Sequence, residues 1–493
     1  MLYPKKFWNL LSLIVLGLFT LAACQPQTVV EVVEVEKEVV VTEVVEVEKE
    51  VVVIEEIEVE KEVLVYEYRT PIIYWHTWKS STWLPDVVEP AFEEAFPQYD
   101  LQLRAMPGYN DAYDLYTLAQ GQGDPPAILQ GTSSNTQAPR DSGWFKPLHE
   151  AIDGRTEING LPVRLDEIVG PAAGFFSIDG KFHEMPFNAS TPIIFANMDM
   201  LVEAGVAADV NDFDAIPETW AEVEAACALI VATFDEVDCI NFGAGGWYME
   251  NMLASQGAFL ANNQNGRGGE ACVTEVLFNS EEGVAWIEWI NSIDDSGYWV
   301  DYGRAEYDIK WANSQLALHM TSSAAARGRV DIGEGNDFTV GAGRMMYNQD
   351  VPYVGNTIGG GMLLLTDGLD PEVEEGALTF LMFMLQPEQV AGWHQSTGYV
   401  PVTQSGVELL ESQGWFEENP TFSVASEQLA NSANVPETSG AIFGSFGNVY
   451  RLFSPSFKDI IYNDLDAQEE LDRLKAEADL LIEEYNLLVP CES

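Results

Sequence analysis

The sequence is poor in basic residues and in histidines. Its 493 residues include 23 Lys and Arg against 79 Asp and Glu, so the formal net charge at pH 7 is -56. No basic patch is visible that would neutralise phosphates, which makes DNA and RNA poor candidates as partners. The chain has only five His, and it contains no HExxH, GxSxG or GxxxxGK[ST] motif. These absences leave no recognisable metalloprotease, serine-hydrolase or phosphate-binding site.

Cysteine is also scarce. Beyond Cys24 the chain has Cys227, Cys239, Cys272 and Cys491, and none of them lies in a CxxC pair. A zinc site is therefore not expected, nor is any other metal or cofactor. The even number permits disulfides in an oxidising compartment. Cys227 and Cys239 are close enough in sequence to pair, but three connectivities remain open.

Carboxylates are abundant, and this abundance makes them uninformative. Any two of them could be proposed as the acid and base of a glycosidase, whereas solvated surface acids are the simpler interpretation. A surface glycoside hydrolase or adhesin stays as an alternative class of protein. We expect a protein that is not an enzyme.

The first residues resemble an export signal. Lys5 and Lys6 precede an apolar run, and small residues then lead to Cys24 in the sequence LAAC. LAAC looks like the bacterial lipobox, which implies cleavage after residues 1–23 and lipidation of the Cys24 thiol. A transmembrane anchor and an incidental cysteine are the alternatives, although the run is short for a membrane span.

A repeat with a period of twelve follows. EVEKEVVV occupies residues 34–41 and 46–53, and EVEKEVLV occupies residues 58–65. Twelve is even, so an extended chain keeps one mostly apolar and one mostly acidic face, whereas a straight helix would hold no stripe. We interpret residues 24–69 as an extended stalk, with a disordered tether and a helical coil as alternatives. Most of the charge, about -48, belongs to the body from residue 70 on.

The body alternates strand and helix patterns. PIIYWH, DLQLRAM and PAILQ predict strands, and LPDVVEPAFEEAF and YNDAYDLYTLAQ between them predict helices. This alternation is typical of α/β units with parallel strands. Thr219 and Glu222 have the spacing of a capping box at the start of a later helix. Further amphipathic helices are predicted at PETWAEVEAACALIVATF, EEGVAWIEWINSI, EVEEGALTFLMFML, PEQVAGWHQS and LDAQEELDRLKAEADLLIEEYNLL.

Small polar and aromatic residues stand at the ends of these elements, where ligand contacts usually lie in α/β proteins. The stretches are GYN at 108–110, FNASTP at 187–192, TSS at 321–323, IGGG at 358–361, TGYVP at 397–401, and NVYRLF around Arg451. Together with MPFNASTPIIFANMDMLVEAGV and WHQSTGYVPVTQSGVELLESQGWFEENP, they resemble the extracellular solute-binding proteins (family 1) of ABC importers. Within that family, the resemblance is to the members that bind sn-glycerol-3-phosphate.

The resemblance implies an α/β fold of the two-lobe type II periplasmic-binding-protein kind, with the ligand in the cleft between lobes that close by hinge bending. The implied first lobe comprises residues 70–188 and 356–402. The implied second lobe comprises residues 189–355 and 403–488. The partners implied are a small-molecule ligand, the transmembrane subunits of an ABC permease, and the membrane through the lipid anchor.

Seven ligand contacts carry over from the matching motifs. Arg451 would present a fork of donors to a phosphate, and Tyr399 would line the cleft between a glycine and a proline. Ser133 departs from the family, which has a glutamate there, and a hydroxyl accepts hydrogen bonds from a diol less strongly than a carboxylate does. The seven residues are Tyr109, Ser133, Ser190, Ser322, Gly360, Tyr399 and Arg451.

The function implied is that of a substrate-binding lipoprotein on the outer face of the cell membrane. It would capture sn-glycerol-3-phosphate or a glycerophosphodiester and deliver it to the permease. A body of about -48 repels anions at long range, so either a saline habitat screens the charge or the ligand is neutral or zwitterionic. A receptor for sugars or oligosaccharides is the alternative within the family.

Overall fold

The structure is a computed structural model that describes residues 69–78, 82–178, 180–269, 272–463 and 465–490. The predicted export signal, the lipidation site Cys24 and the stalk repeat lie outside the described residues. In the described ranges, none of the helices has both the length and the apolar character that crossing a membrane requires.

The strands of the described ranges are short and are spread over the whole body. They are β1 (Thr70–His76), β2 (Tyr99–Ala105), β3 (Ile128–Thr132), β4 (Glu157–Ile158), β5 (Leu161–Pro162), β6 (Ser177–Ile178), β7 (Lys181–Phe182), β8 (Met185–Ser190), β9 (Pro192–Asn197), β10 (Asp238–Asn241), β11 (Trp299–Val300), β12 (Leu316–Ser322), β13 (Val340–Arg344) and β14 (Gly359–Leu365).

The helices alternate with these strands and then dominate the last third of the chain. They are α1 (Glu89–Ala95), α2 (Tyr109–Gln122), α3 (Gln137–Ser142), α4 (Leu148–Ile152), α5 (Gly170–Phe176), α6 (Met198–Glu203), α7 (Trp220–Thr233), α8 (Gly246–Ser255), α9 (Asn262–Gly266), α10 (Glu281–Asp295), α11 (Arg304–Ala312), α12 (Ala326–Gly335), α13 (Pro371–Met384), α14 (Pro387–Thr397), α15 (Gln404–Ser412), α16 (Trp415–Glu418), α17 (Val424–Ala430), α18 (Phe446–Tyr462) and α19 (Ala467–Leu488).

The longer strands form two mixed sheets. The first has the order β2-β1-β3-β14-β8, and the second has the order β11-β10-β12-β9-β13. Strands β1, β2 and β3 are parallel, as the sequence predicts, and so are β10, β11 and β12. Strand β14 runs antiparallel to β3 and β8, and β9 runs antiparallel to β12 and β13. The predicted parallel arrangement is confirmed for β1, β2 and β3, whereas β9 and β14 are antiparallel because they come from chain crossovers and not from local β-α-β units.

Each sheet is the centre of a lobe. Helices α1, α2, α5 and α13 pack on the first sheet and make the first lobe with it. Helices α6, α7, α10, α11 and α12 pack on the second sheet, α18 and α19 pack on α10, and together they make the second lobe. The predicted two-lobe α/β fold is confirmed.

Local sequence signals account for several of these elements. Strand β1 buries every second residue, which matches its alternating pattern. The Thr219 side chain accepts from the backbone of Glu222 while the Glu222 side chain accepts from the backbone of Thr219, so the predicted capping box at α7 is confirmed. Cys227 and Cys239 form a disulfide between α7 and β10. Cys272 is disulfide-bonded as well.

The lobes meet where β8 passes into β9 through Thr191. The Thr191 hydroxyl donates to the Thr357 carbonyl at 3.3 Å, and the Gln428 amide donates to the Thr191 hydroxyl at 2.9 Å. The Ser323 N-H donates to the Thr191 carbonyl at 3.0 Å. This buried residue is therefore fixed by three segments, and the strand ends around it form the place where ligand contacts are predicted.

Candidate functional site

Two predicted serines lie on either side of Thr191. Ser190 ends β8, is almost fully buried, and pairs with Gly359 of β14 in the first sheet. Ser322 ends β12 and pairs with Pro192 of β9 in the second sheet. Its hydroxyl also accepts the Ala324 N-H at 3.2 Å and caps the turn that follows. The structure thus places one predicted hydroxyl from each sheet at the same crossover.

Gly360 lies beside Ser190 in a conformation that requires glycine. Its φ is +105°, and a Cβ there would lie 1.9 Å from the carbonyl oxygen of Asn188. On the other side of β14, the Thr132 hydroxyl donates weakly to the Gly360 carbonyl at 3.4 Å. Ser133 follows directly at the end of β3 and is buried. The close approach of three strands therefore brings Ser133, Gly360 and Ser190 to one edge of the first sheet.

Tyr109 and Tyr399 meet through Asn188. The Asn188 amide donates to the Tyr109 hydroxyl and accepts from Gln130 at 3.0 Å. Thr77 and Tyr399 are further hydrogen-bond partners of the Tyr109 hydroxyl. Burial raises the pKa of Tyr109, and burial together with the neighbouring Tyr109 raises the pKa of Tyr399 well above its ordinary value. Both phenols therefore stay uncharged at neutral pH, as neutral hydrogen-bonding groups.

The turn at Gly398 explains how Tyr399 is presented. Gly398 ends α14 with φ +101°, and a Cβ on it would lie 2.5 Å from the Ser323 carbonyl oxygen. Val400, two residues after Gly398, donates its N-H to the Ala189 carbonyl at 2.8 Å. Because the chain turns at Gly398 and then pairs with β8, the Tyr399 side chain is held next to the crossover.

Aromatic rings surround Tyr399. Its ring stacks on Trp393 at a centroid distance of 5.5 Å and an angle of 10°, and it meets Trp78 edge-on at 5.2 Å. Trp247, at the start of α8, lies against Gly359, where a Cβ would be 2.5 Å from the indole nitrogen. That indole nitrogen has no hydrogen-bond partner among the described residues. The predicted cleft therefore combines polar strand ends with apolar rings from both lobes.

His394 supports the turn from inside the core. Its Nδ1 lies 2.7 Å from the Tyr399 carbonyl oxygen, so the imidazole donates there. The side chain is fully buried, and its Nε2 has no partner in the described part of the chain. Burial, the largest cause, lowers the pKa of His394 to about 4. His394 is therefore a neutral support of the backbone that carries Tyr399.

The pKa of His394 predicts a loss of stability in acid. An unfolded histidine has a pKa of 6.5, so between pH 6.5 and about 4 the unfolded chain binds a proton that folded His394 does not. The contribution is complete above pH 6.5 and is lost as the pH falls through this window. Urea unfolding at pH 7 and pH 5 should show a loss that is about 2 kcal/mol smaller in His394→Asn, which keeps a donor without titrating. An equal loss in the parent and the variant would contradict this role.

Arg451 comes from the second lobe. It lies on α18, its side chain is exposed, and no residue that the structure describes forms an ion pair with it. Gly447, one turn earlier on the same helix face, approaches the turn after β3, since a Cβ on it would be 3.6 Å from the Asn135 Cβ. The face of α18 that carries Arg451 is thus directed towards the segment that holds Ser133.

Six of the seven predicted contacts therefore lie at strand or helix ends around the crossover, and Arg451 lies on a helix whose face meets that region. The FNASTP stretch predicts Ser190 as a ligand contact but not Asn188, although the same stretch contains it. Asn188 is fully buried, donates to the Tyr109 hydroxyl and accepts from the Gln130 amide. A polar residue two positions before a predicted contact on the same strand, and hence on the same face, was the available signal.

A cavity also lies away from the predicted ligand contacts. A cavity of about 240 Å³ lies between α5 and the segment after α17, and none of the seven predicted residues lines it. Over the residues that the structure describes, no group of three or more His, Cys, Asp and Glu side chains is placed to hold a metal ion.

Two mixed α/β sheets joined by crossovers, with buried polar side chains at the junction, define a two-lobe solute-binding protein of the type II periplasmic kind. The chain belongs to the bacterial extracellular solute-binding protein family, whose model matches residues 90–423. Members of this family bind small solutes outside the cytoplasm and deliver them to ABC permeases.

Named relatives and solved structures agree with this assignment. The chain is 28% identical over 429 residues to the sn-glycerol-3-phosphate-binding periplasmic protein UgpB of Yersinia pseudotuberculosis, which covers 84% of this chain and 93% of that protein. UgpB of Salmonella typhimurium is 28% identical over 414 residues, covering 82% and 90%.

Two crystal structures share the fold at low identity. UgpB of Mycobacterium tuberculosis in complex with glycerophosphocholine gives a TM-score of 0.67 at 18% identity, covering 84% of this chain and 98% of that one. The GacH receptor of Streptomyces glaucescens, solved unliganded and with acarbose, gives a TM-score of 0.68 at 14% identity, covering 85% and 99%. At these identities the likeness shows the fold.

Proposed function

We propose that the protein is the substrate-binding lipoprotein of an ABC importer and that it captures sn-glycerol-3-phosphate or a glycerophosphodiester. The proposal joins the family assignment to a particular ligand and a particular site. Tyr109, Ser190 and Tyr399 would hold the ligand from the first lobe, and Ser322 and Arg451 would hold it from the second. Closure of the lobes on the ligand would produce the form that the permease recognises.

One observation carries this proposal: hydrogen-bonding side chains from both sheets converge on the crossover at Thr191. Ser190 and Ser322 lie on opposite sides of that residue, and each ends a strand of a different sheet. A ligand that bridges such groups favours the closed arrangement, because it gains contacts with both lobes only when they approach each other. The relatives named as sn-glycerol-3-phosphate-binding proteins support the choice of ligand.

The charge of Arg451 supports an anionic ligand. An exposed guanidinium with no carboxylate partner in the described ranges keeps its donors available for a phosphate. Gly360 adds backbone groups at close approach. Ser133 replaces the family's glutamate, so the diol end of the ligand would be held more weakly than in relatives that keep the carboxylate. A glycerophosphodiester has the same diol and carries its further substituent on the phosphate, where added contacts would offset the weaker hold on the diol, so this class of ligand is part of the proposal.

The N-terminal segment completes the proposed assembly. Residues 1–23 would direct export, Cys24 would carry the lipid anchor, and residues 24–69 would space the body from the outer face of the membrane. The body would divide into a first lobe of residues 70–188 and 356–402 and a second lobe of residues 189–355 and 403–488. The permease subunits would receive the closed, loaded form.

A sugar or oligosaccharide is the second candidate ligand. The observation in its favour is the group of rings at the crossover, Trp78, Trp393 and Tyr399, with Trp247 nearby, since aromatic faces bind pyranose rings well. Solved structures with this fold include proteins described with acarbose and with maltotriose. This candidate predicts binding that does not depend on Arg451.

A ligand screen separates the candidates. Because a ligand that binds only the native state raises its melting temperature, thermal-shift measurements should show stabilisation by sn-glycerol-3-phosphate and glycerophosphocholine but not by maltose or maltotriose. Titration calorimetry then gives the dissociation constant for each. Stabilisation by the sugars alone would reject the phosphate ligand and support the alternative. Turnover of chromogenic glycosides would reject both in favour of a hydrolase.

A further inference from the structure

The short element α9 (Asn262–Gly266) in the second lobe is a left-handed turn and not a regular helix. Asn263, Gln264 and Asn265 have φ values of 53°, 53° and 59°, and Gly266 follows with φ 79°. Successive non-glycine residues in the left-handed region are unfavourable by about 1–2 kcal/mol each. Such conformations persist only where the surrounding structure determines them, and they often accompany a functional constraint.

The surroundings hold this turn firmly. The Asn265 side chain accepts the Ala261 N-H at 2.9 Å, and the Asn265 carbonyl accepts the Ile442 N-H at 2.9 Å. Gly266 packs so closely that a Cβ would lie 1.9 Å from the Ile442 carbonyl oxygen. The turn ends at Gly266, directly before Arg267. Its effect is to place the next residue, Arg267, against the first lobe.

The Arg267 guanidinium contacts both lobes. Its Nε donates to the Gly440 carbonyl at 2.6 Å, and its Nη2 donates to the Ser439 carbonyl at 2.6 Å, both in the segment that leads into α18. Its Nη1 donates to the Gly174 carbonyl at 3.1 Å, in α5 of the first lobe. The guanidinium carbon also lies 5.2 Å from the ring centroid of Phe175, a cation-π distance. One side chain thus connects α5 with the base of α18.

Carboxylates from both lobes flank this guanidinium. In the first lobe, Glu184 is buried and paired with Arg140. In the second, the Glu250 carboxylate accepts the Tyr450 hydroxyl at 2.6 Å and the Ala441 N-H at 2.8 Å. Burial, the largest cause, lowers the pKa of Arg267 to about 10, with Arg140 acting in the same direction and Glu250 and Glu184 opposing. Arg267 therefore remains charged at neutral pH between a carboxylate of each lobe.

In this structure Ser133, Ser190 and Tyr399 are buried at the crossover. We propose that this arrangement of the lobes is the closed one and that Arg267 is a positioning residue that latches it, which sets ligand affinity without a contact to the ligand. Separating the lobes would break the bond to Gly174 and the contact with Phe175, while the bonds to Ser439 and Gly440 would remain in the second lobe. The latch thus favours closure before any ligand binds. This inference rests on the two-lobe fold and does not depend on which ligand is bound.

The latch should change the apparent dissociation constant of every ligand by the same factor. When only a fraction of the free protein is in the binding-competent form, the apparent dissociation constant rises in inverse proportion to that fraction. Removing the latch should lower the closed fraction of the free protein by about fivefold or more, and it should weaken every ligand by the same factor. A residue that touches the ligand would instead change the preference among ligands.

A distance measurement on the ligand-free protein tests the latch. Leu118 on α2 and Ile309 on α11 are both exposed and lie in different lobes. Spin labels at Leu118→Cys and Ile309→Cys, in the full chain with Cys24→Ser, would report the interlobe distance by electron-electron resonance. The parent should show a short-distance population that Arg267→Gln reduces by about fivefold. Arg473→Gln, at a surface pair with Glu470, is the matched control and should leave the distribution unchanged.

The outcomes decide between a latch and a local structural role. A structural role alone would lower the melting temperature of Arg267→Gln and leave the distance distribution as in the parent, and this result would overturn the proposal. A parent with no short-distance population would overturn it too. If Arg267→Gln does not melt cooperatively, Arg267→Lys keeps the charge, loses the fork and should give an intermediate closed fraction. Failure of sn-glycerol-3-phosphate to bind would leave this ligand-free result standing.

Discussion

Arg451→Gln is expected to weaken the binding of sn-glycerol-3-phosphate by at least about 100-fold, which corresponds to about 2.7 kcal/mol. The reason is that a guanidinium donates two charge-assisted hydrogen bonds to a phosphate, whereas glutamine offers one neutral donor. The effect should be large because Arg451 has no carboxylate partner in the described chain that would otherwise compete for it. Titration calorimetry on the parent and the variant measures the change.

Two comparisons make this result specific. Arg473→Gln removes the same charge from α19, where Arg473 pairs with Glu470 and Glu477 on the surface, and it should change affinity by less than about twofold. Raising the ionic strength should weaken the parent more than the Arg451→Gln variant, because the screened interaction is already lost in the variant. A variant that still binds sn-glycerol-3-phosphate within about threefold of the parent would reject the anion role of Arg451.

Gly360→Ala is expected to destabilise the body by about 3 kcal/mol or more and to abolish ligand binding. Alanine does not tolerate a φ of +105°, and its Cβ would meet the Asn188 carbonyl oxygen at 1.9 Å, so β8 and β14 must separate. These strands already shift register between Gly361 and Met362, so the ladder has little room for a second disturbance. The displaced β8 would carry Ser190 and Asn188 away from the crossover.

Gly368→Ala is the matched control for this prediction. Gly368 also has a positive φ, +74°, but nothing lies within 4 Å of the position that its Cβ would take. Its substitution should therefore cost about 1 kcal/mol from backbone strain alone and leave binding unchanged. Denaturant unfolding compares the two variants. Equal losses of stability would show that the close contact at Gly360 is unimportant, and unchanged ligand binding by Gly360→Ala would contradict a site at these strand ends.

The parts of the fold that the sequence predicted correctly depend on local patterns. The alternation in β1, α1, β2, α2 and β3 follows from periods of two and 3.6 residues, and the capping box at Thr219 follows from a three-residue spacing. Such signals depend on neighbours along the chain. They therefore predict the local structure correctly whatever contacts the distant parts of the chain make.

The parts that local patterns missed depend on distant pairings. The antiparallel position of β14 between β3 and β8 requires residues far apart in sequence to meet, and no periodicity encodes that. The disulfide between Cys227 and Cys239 was one of three connectivities until α7 and β10 were placed side by side. The left-handed turn before Arg267 arises from contacts with Ile442 on a distant segment.

The candidate site could be predicted partly from local patterns, and its other part depends on pairings between distant residues. Polar and glycine-rich strand ends signalled it, because the ends of strands in a two-sheet protein converge at the crossovers. Asn188 was missed because its role, bonding Tyr109 and Gln130 at once, becomes visible only when three strands are assembled. Arg451 differs again, since it stands on a helix and only the matching motif singled it out.

The most direct test of the account is a crystal structure of the protein with sn-glycerol-3-phosphate. We predict one ligand in the cleft at Thr191, with its phosphate within about 3 Å of the Arg451 guanidinium and its other oxygens bonded to Tyr109, Ser190 and Tyr399. A ligand bound elsewhere, or a cleft in which Arg451 and Tyr399 face no common cavity, would contradict it.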